Sequence, residues 1–371
     1  MTAVLAAPAP SVPRRGASPV AHFGPNWFVT VMGTGIVANA AALLPVDVPG
    51  LDVLARGMWV LAVVVLVVVG AATAAHWLTH PDAARGHLAH PVMSHFHGAP
   101  AMALMTVGAG ALLVGHELVG WHAAIALDTV LWSAGTALGL WTLVAIPCRT
   151  FRSPAPYAGP AFGGWLMPVV PPMVSAATGP LLIPHVATGL RPPIIAGCYL
   201  MFSAALAASV PLITVIVRRA LRGQIGAALT VPTLFIVVGP LGQSVTAAHA
   251  LGERAGGLWA TFGVAYGLPV ATLAVGWLVV AAAVTARSAR TGLPFGLTWW
   301  SFTFPVGTVV TGTSGLATAT GSVLFGALAV GLFLALVAAW ALVAALTLRG
   351  VWSGDLLHPP TGGPTGARPA A

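Results

Sequence analysis

Apolar runs recur along nearly the whole chain, separated by short polar turns. Crossing the hydrocarbon core of a bilayer takes a helix of about 20 apolar residues. Ten such spans are predicted, at 25–44, 51–75, 98–115, 119–146, 161–183, 193–217, 226–249, 257–286, 297–320 and 321–347. Length alone places the last boundary at Thr320–Gly321, because the undivided stretch would run to about 50 residues, too long for one crossing. The chain then reads as a tail over 1–21, a membrane domain over 22–347 and a Pro/Gly-rich tail over 348–371. The first residues put arginines after a short apolar run, the reverse of a secretory signal, and read as a cytoplasmic tail.

Odd and even spans differ in kind. The odd spans hold nine prolines and the even spans three, and even stretches such as WVLAVVVLVVVG are smooth and rich in Val, Leu and Ala. Odd spans also begin at similar intervals, which suggests five repeated helix pairs. Broken helices in a membrane belong around a cavity, where protein or water satisfies the freed backbone groups. The expected architecture is therefore all-α, with kinked odd helices inside and even helices outside around a central path. Gly33, Pro100, Pro168, Pro172, Pro240 and Pro305 are the expected kinks. Gly33 and Gly35 also allow close helix approach.

Composition supports the membrane reading. The chain is 58% hydrophobic and 6% charged, where a soluble domain carries about 25% charged residues. The net charge of +8 comes from 15 arginines and no lysine, lying mostly in short loops. No basic patch with interleaved aromatics appears, so no nucleic-acid partner is expected. Twelve arginines fall in the tails and in the loops after even spans, and three in the loops after odd spans. The positive-inside rule then puts both termini in the cytoplasm. Arg218, Arg219 and Arg222 are expected at the cytoplasmic mouth.

As delimited above, the odd spans contain no Asp, Glu, Lys or Arg. Thr34, Thr106, Ser175, Gln243, Ser244 and Thr303 are expected to line the path, and hydroxyls without fixed acids suit an anion route. Cys148 and Cys198 form no ligand or disulfide pattern. No cofactor or metal is implied by any sequence motif. His76, His80, His87, His90, His95 and His97 cluster near one interface. They read as interfacial residues, and Asp128 as a packed acid. A membrane-embedded metal-dependent enzyme or sensor using the His76–His97 cluster and Asp128 is the competing reading.

The segment TWWSFTFPVGTVV (298–310) carries the candidate barrier. Two tryptophans at the start of a span suit the interface. Phe304 lies about 12 Å into the span at 1.5 Å per residue, and Pro305 behind it is expected to bend the helix and turn the ring to the axis. A large apolar ring in a narrow pore resists wetting. An ordinary packed ring is the other reading of the same residue.

Four stretches carry a family resemblance: PNWFVTVMGTGIVAN, HPVMSHFHGAPAMALMTVGAG, GGWLMPVVPPMVSA and WWSFTFPVGTVV. In this order, over about residues 22–347, they resemble the tellurite-resistance/dicarboxylate transporter family. It includes malate transporters, fungal sulfite efflux pumps and the slow anion channels of plant guard cells. The resemblance implies ten helices in five hairpins with quasi-fivefold symmetry, a homotrimer with one pore per protomer, and small anions as substrates. It also implies a pore-occluding phenylalanine, which falls on Phe304, with Phe302 as the alternative.

Overall fold

The computed structural model describes residues 20–153 and 157–357, so most of both expected tails lies outside the described residues. The α-helices run in the order α1 (Phe28–Leu43), α2 (Leu51–Thr79), α3 (Pro81–Ala89), α4 (Gly98–Gly110), α5 (His116–Val119), α6 (Trp121–Phe151), α7 (Pro171–Thr178), α8 (Arg191–Leu221), α9 (Val238–Ala255), α10 (Leu258–Thr291), α11 (Phe304–Thr320) and α12 (Val323–Trp352). Among the described residues there is no β-strand, only an isolated bridge between Ala161 and Ile225.

Sequence type sorts these helices into two shells. The smooth segments form α2, α6, α8, α10 and α12, and only 22–33% of their most apolar stretches is buried. Val67, Leu200, Leu273 and Leu334 stand exposed on them, an apolar surface suited to lipid and not to water. The stretches containing α1, α4 and α9 are 78–83% buried. α1 packs on α4, α4 on α7, α7 on α9, α9 on α11, and α11 returns to α1, closing a ring. Each outer helix leans on the inner helix before it and also touches the one after it: α2 on α1 and α4, α6 on α4 and α7, α8 on α7 and α9, α10 on α9 and α11, α12 on α11 and α1.

Tryptophans pin the outer helices to this ring. Trp59 donates to the Val107 carbonyl at 3.0 Å, Trp132 to that of Ser175 at 3.0 Å, Trp277 to that of Leu234 at 2.9 Å, and Trp340 to Thr34 Oγ1 at 3.1 Å. A buried indole needs such a partner, and the rest of its ring fills apolar space.

Among the described residues, eight helical stretches are long and apolar enough to cross a membrane. The expected fifth and ninth spans are not among them because both are broken. The fifth is a 3₁₀ turn (Gly163–Leu166), an irregular stretch to Val170, and the eight-residue α7. At 1.5 Å per residue α7 is only about 12 Å long. The ninth is a 3₁₀ stretch (Leu297–Phe302) followed by α11. The turn expected at Thr320–Gly321 separates α11 from α12, and Gly321 adopts φ +67°, a left-handed conformation that ends helices cheaply only at glycine.

The prolines act differently from the expectation. Pro172 and Pro305 are second residues of α7 and α11, Pro100 and Pro240 are third residues of α4 and α9, and Pro168 lies in the irregular stretch before α7. None kinks a helix interior. A first-turn residue has no intrahelical use for its N–H, so proline there starts an α-helix without loss. Interior prolines of α-helices occur instead on the outer ones, at Pro147, Pro211 and Pro269, and Pro232 lies inside the 3₁₀ stretch Ala228–Val237. Gly33 sits inside the continuous α1, where a Cβ would fall 2.4 Å from Thr303 Oγ1 and 2.5 Å from the Trp300 ring. It is a close-approach position and not a kink.

All five inner elements share one plan. Each begins as 3₁₀ helix, at Pro25–Trp27, Met93–His97, Gly163–Leu166, Ala228–Val237 and Leu297–Phe302, and continues into α1, α4, α7, α9 or α11. Each 3₁₀ stretch buries an aromatic side chain: Trp27, Phe96, Trp165, Phe235 and Trp300.

Candidate functional site

Two cavities lie on the axis of the ring, and all five inner elements line both. At the end where the 3₁₀ stretches begin, a cavity of about 30 Å³ is bounded by Met32, Met102, Val170, Pro240 and Pro305, with Phe304 and Trp300. Towards the other end, a cavity of about 310 Å³ is bounded by Ile36, Ala109, Ala177, Gln243 and Thr311 from the same five elements. The cavity beside Phe304 has about a tenth of the volume of the other, so the axis narrows there.

Phe304 is 3% exposed and begins α11. The chain reaches it through Thr303, at φ −103° and ψ −79°, whose carbonyl accepts from the Gly307 amide at 2.9 Å. That change of path separates two phenylalanines only two residues apart. Phe304 turns into the axial cavity among Met32, Met102 and Met167. Phe302 turns outward, with its ring 4.8 Å from Phe235 and 5.6 Å from Trp299, into a surface groove bounded by α10 and α12 residues such as Leu278 and Leu332. Phe302 therefore does not line the axis.

The polar residues divide sharply. Gln243 lines the larger cavity; it is 4% exposed and its amide oxygen has no partner among the described residues. The other five expected pore-lining residues face neighbouring helices. Thr34 donates to the Thr30 carbonyl at 2.7 Å and accepts from Trp340. Thr106 donates to the Met102 carbonyl at 2.7 Å. Ser175 accepts from Thr136 at 2.9 Å beside Met105. Ser244 accepts from the Tyr266 hydroxyl at 2.9 Å. Thr303 donates to the Trp300 carbonyl at 2.7 Å. A hydroxyl on a helix can bond to a carbonyl one turn back, so these groups satisfy themselves and need no water-filled path.

Sequence reading missed Asn39, Thr318, His249, Glu253 and Arg254, all of which line the larger cavity. Thr246 and Thr311 share a 2.8 Å hydroxyl bond across it, and His249 Nε2 lies 3.6 Å from Glu253. The expectation that odd spans hold no charge fails here, because α9 continues past residue 249 to Ala255 and carries Glu253 and Arg254 into the cavity wall. The i,i+4 spacing of His249 and Glu253 was the available signal.

The three arginines expected at the mouth lie on α8 or just beyond it, and none borders either axial cavity. Arg218 and Arg222 are exposed. Arg219 clamps a loop, donating to the carbonyls of Tyr157 at 2.6 Å and Gly159 at 2.7 Å, with its guanidinium 5.1 Å from the centre of the Trp165 ring.

The histidine cluster is a stack. The His76 ring lies 5.2 Å from His87 and 6.0 Å from His80, and its Nδ1 is 2.7 Å from the Val20 carbonyl. Among the described residues no group of three or more His, Cys, Asp or Glu is placed to hold a metal ion. Asp128 lies on the outer helix α6 against Gly108 of α4, away from both axial cavities.

Residues 22–348 match the voltage-dependent anion channel family. The chain belongs to that family. It is 25% identical over 345 residues to a sulfite efflux pump of Arthroderma otae, covering 89% of this chain and 91% of that one. A sulfite efflux pump of Trichophyton rubrum matches with the same identity and coverage. An uncharacterized transporter of Methanocaldococcus jannaschii is 24% identical over 311 residues, covering 78% of this chain and 82% of that one. The family consists of membrane transporters and channels and not of enzymes, so the competing enzyme reading falls. The protein is a multi-pass anion transporter of the membrane, in keeping with the resemblance in its four motifs.

Proposed function

We propose that this member of the voltage-dependent anion channel family passes small anions along the axis of its inner ring, and that Phe304 closes the path. The observation carrying this reading is the pair of cavities on one axis, both lined by all five inner elements, with Phe304 in the constricted one. Three methionines surround the ring. Such side chains are unbranched and adaptable, so the ring has room to swing without a backbone change. A dry apolar constriction opposes an ion through the cost of stripping its water.

Ten crossings in five hairpins, the fifth and ninth being the broken ones, give every inner helix the same direction. Both termini then lie in the cytoplasm, as the arginine distribution supports. The larger cavity opens outward, and the membrane is a bacterial plasma membrane. The family resemblance supports a homotrimer with one pore per protomer. The candidate substrates are sulfite, C4-dicarboxylates such as malate, tellurite-type oxyanions, nitrate and halides. The names of the fungal relatives favour sulfite among them. Purified protein in liposomes, tested with this panel, should pass at least one anion in a gradient-dependent way. No flux for any of them, from protein shown to be folded and inserted, would overturn the reading.

A further inference from the structure

Three arginines lie at the end of the bundle that the arginine distribution makes the outer one: Arg56, Arg191 and Arg254. Arg56 is neutralised by Asp52 and Glu117. Arg191, the first residue of α8, and Arg254, in the last turn of α9, are both exposed, and neither has an acidic partner among the described residues. Far apart in sequence, they meet in one open groove of about 660 Å³, walled by Ile195, Tyr199, Leu200 and Trp259. Arginine is disfavoured on the outer side, so two unpaired guanidiniums in one groove point to an anionic ligand.

We propose that this groove binds the headgroup phosphate of an anionic membrane phospholipid, with an acyl chain lying along α8. A soluble oxyanion would satisfy the arginines but would leave the apolar wall uncovered. Leu200 is 72% exposed and the neighbouring Leu258 86%, which places a hydrocarbon surface directly beside the two cations. Tyr199 and Trp259 pack with ring centres 4.6 Å apart, the aromatic pairing suited to headgroup depth. Arginine matches a phosphate through two parallel N–H donors, which a choline headgroup's cation would oppose. Arg254 also lines the larger axial cavity, so a phosphate held in the groove fixes the side chain that sets the positive charge at the outer mouth. Binding itself does not depend on what the axis transports.

Native mass spectrometry of the detergent-purified protein with phosphatidylglycerol or phosphatidylcholine tests this. Phosphatidylglycerol should stay bound under conditions that strip phosphatidylcholine. Replacing both arginines (R191Q/R254Q) should lower its occupancy about tenfold or more, as loss of two charge-assisted contacts implies, while R56Q leaves it unchanged. Equal retention of the two lipids, or undiminished retention by the double variant, overturns the proposal. Displacement of the lipid by millimolar inorganic phosphate would show a free-anion site instead. A cross-link from Leu200→Cys to a second protomer would show that another copy covers the groove, which also overturns it. Should the double variant fold poorly, brominated lipids decide on the wild type. Brominated phosphatidylglycerol must quench the fluorescence lost in Trp259→Phe more than brominated phosphatidylcholine does, and equal quenching overturns the proposal.

Discussion

The two axial cavities are built by the same five elements and share almost nothing else. The smaller is bounded by methionine, phenylalanine, valine and proline, with no charged side chain. The larger, roughly ten times its volume, carries threonine hydroxyls, Gln243, His249, Glu253 and Arg254. The scaffold cannot explain the difference, because each helix contributes to both within about two turns. What differs is the local winding. The inner elements start as 3₁₀ helix with a buried aromatic and a proline nearby, which crowds bulky apolar groups together at one end. α1, α9 and α11 finish as α-helix, while α4 passes into a π-helical stretch (Ala111–Gly115) and α7 into a 3₁₀ turn (Gly179–Leu181), and the small and hydroxylated residues there leave room at the other. On the proposed reading, the first end is the barrier and the second is where an anion waits.

Phe304→Ala is the change with the largest expected effect, because it removes the ring that fills the smaller cavity. A barrier lower by about 1.4 kcal/mol gives about tenfold more flux, and that is the minimum expected in liposomes. A ring that serves only as packing would instead cost about 3–5 kcal/mol of stability on truncation and bring no gain in flux. Phe302→Ala, on the outward-facing ring, should leave flux unchanged and serves as the control.

Gln243→Leu tests the other end. Along α9, Gln243 is the lining residue of the larger cavity nearest Pro240, which lines the smaller one. Losing one hydrogen-bonding group of about 1 kcal/mol should weaken half-saturating anion concentration by about fivefold, with the closed state unchanged. An effect on maximal rate alone would place the amide in the barrier and not in the waiting site.

Much of this contrast was legible in the residues, and the part that was not has physical causes. The two shells followed from smooth against broken spans, whereas the depth of Phe304 and its proline left barrier and packed ring both open, and the family resemblance chose between them. The proline's action did not follow, since a proline that kinks a helix and one that begins a helix look alike until the 3₁₀ stretch before it is seen. Nor did the lining. A threonine on an inner helix is polar in sequence, but Thr34, Thr106 and Thr303 each turn their hydroxyl to a carbonyl of their own chain. Glu253 and Arg254 were lost for a simpler reason: apolar content ends near residue 249 while the helix does not.

Charge gives a smaller effect and a way to separate the two ends. Arg254→Gln should slow entry from the outer side by a few-fold at low salt and by less at physiological salt, where the Debye length is about 8 Å. Neutralising Arg218 and Arg222 should do the same from the opposite side. Arg219→Gln should differ from both, because that guanidinium is spent on the Tyr157 and Gly159 carbonyls. Its loss should lower stability by about 1–3 kcal/mol with no dependence on salt. A salt-dependent flux defect in Arg219→Gln would return it to the mouth.

The smallest effect expected belongs to the histidine stack beside the barrier end. Burial pushes the His87 pKa down to about 4, with the charges of neighbouring His76, His97, His90 and His22 acting in the same direction. The unfolded chain takes up this proton near the ordinary value of 6.5, while the folded chain resists it until about 4. Between those two values the unfolded state binds more protons, so His87 lowers stability as pH falls through the window and has no such effect above it. Because His87 is only partly enclosed, solvent screening keeps the penalty modest. Thermal unfolding of the wild type should therefore shift down between pH 7.5 and 5, and His87→Gln should shift less. The stack lies outside the axis, so flux through already folded protein should not follow the same curve. An identical shift in wild type and variant would move the acid sensitivity to another group, and a flux change that tracks His87 would tie this end of the molecule to the barrier after all.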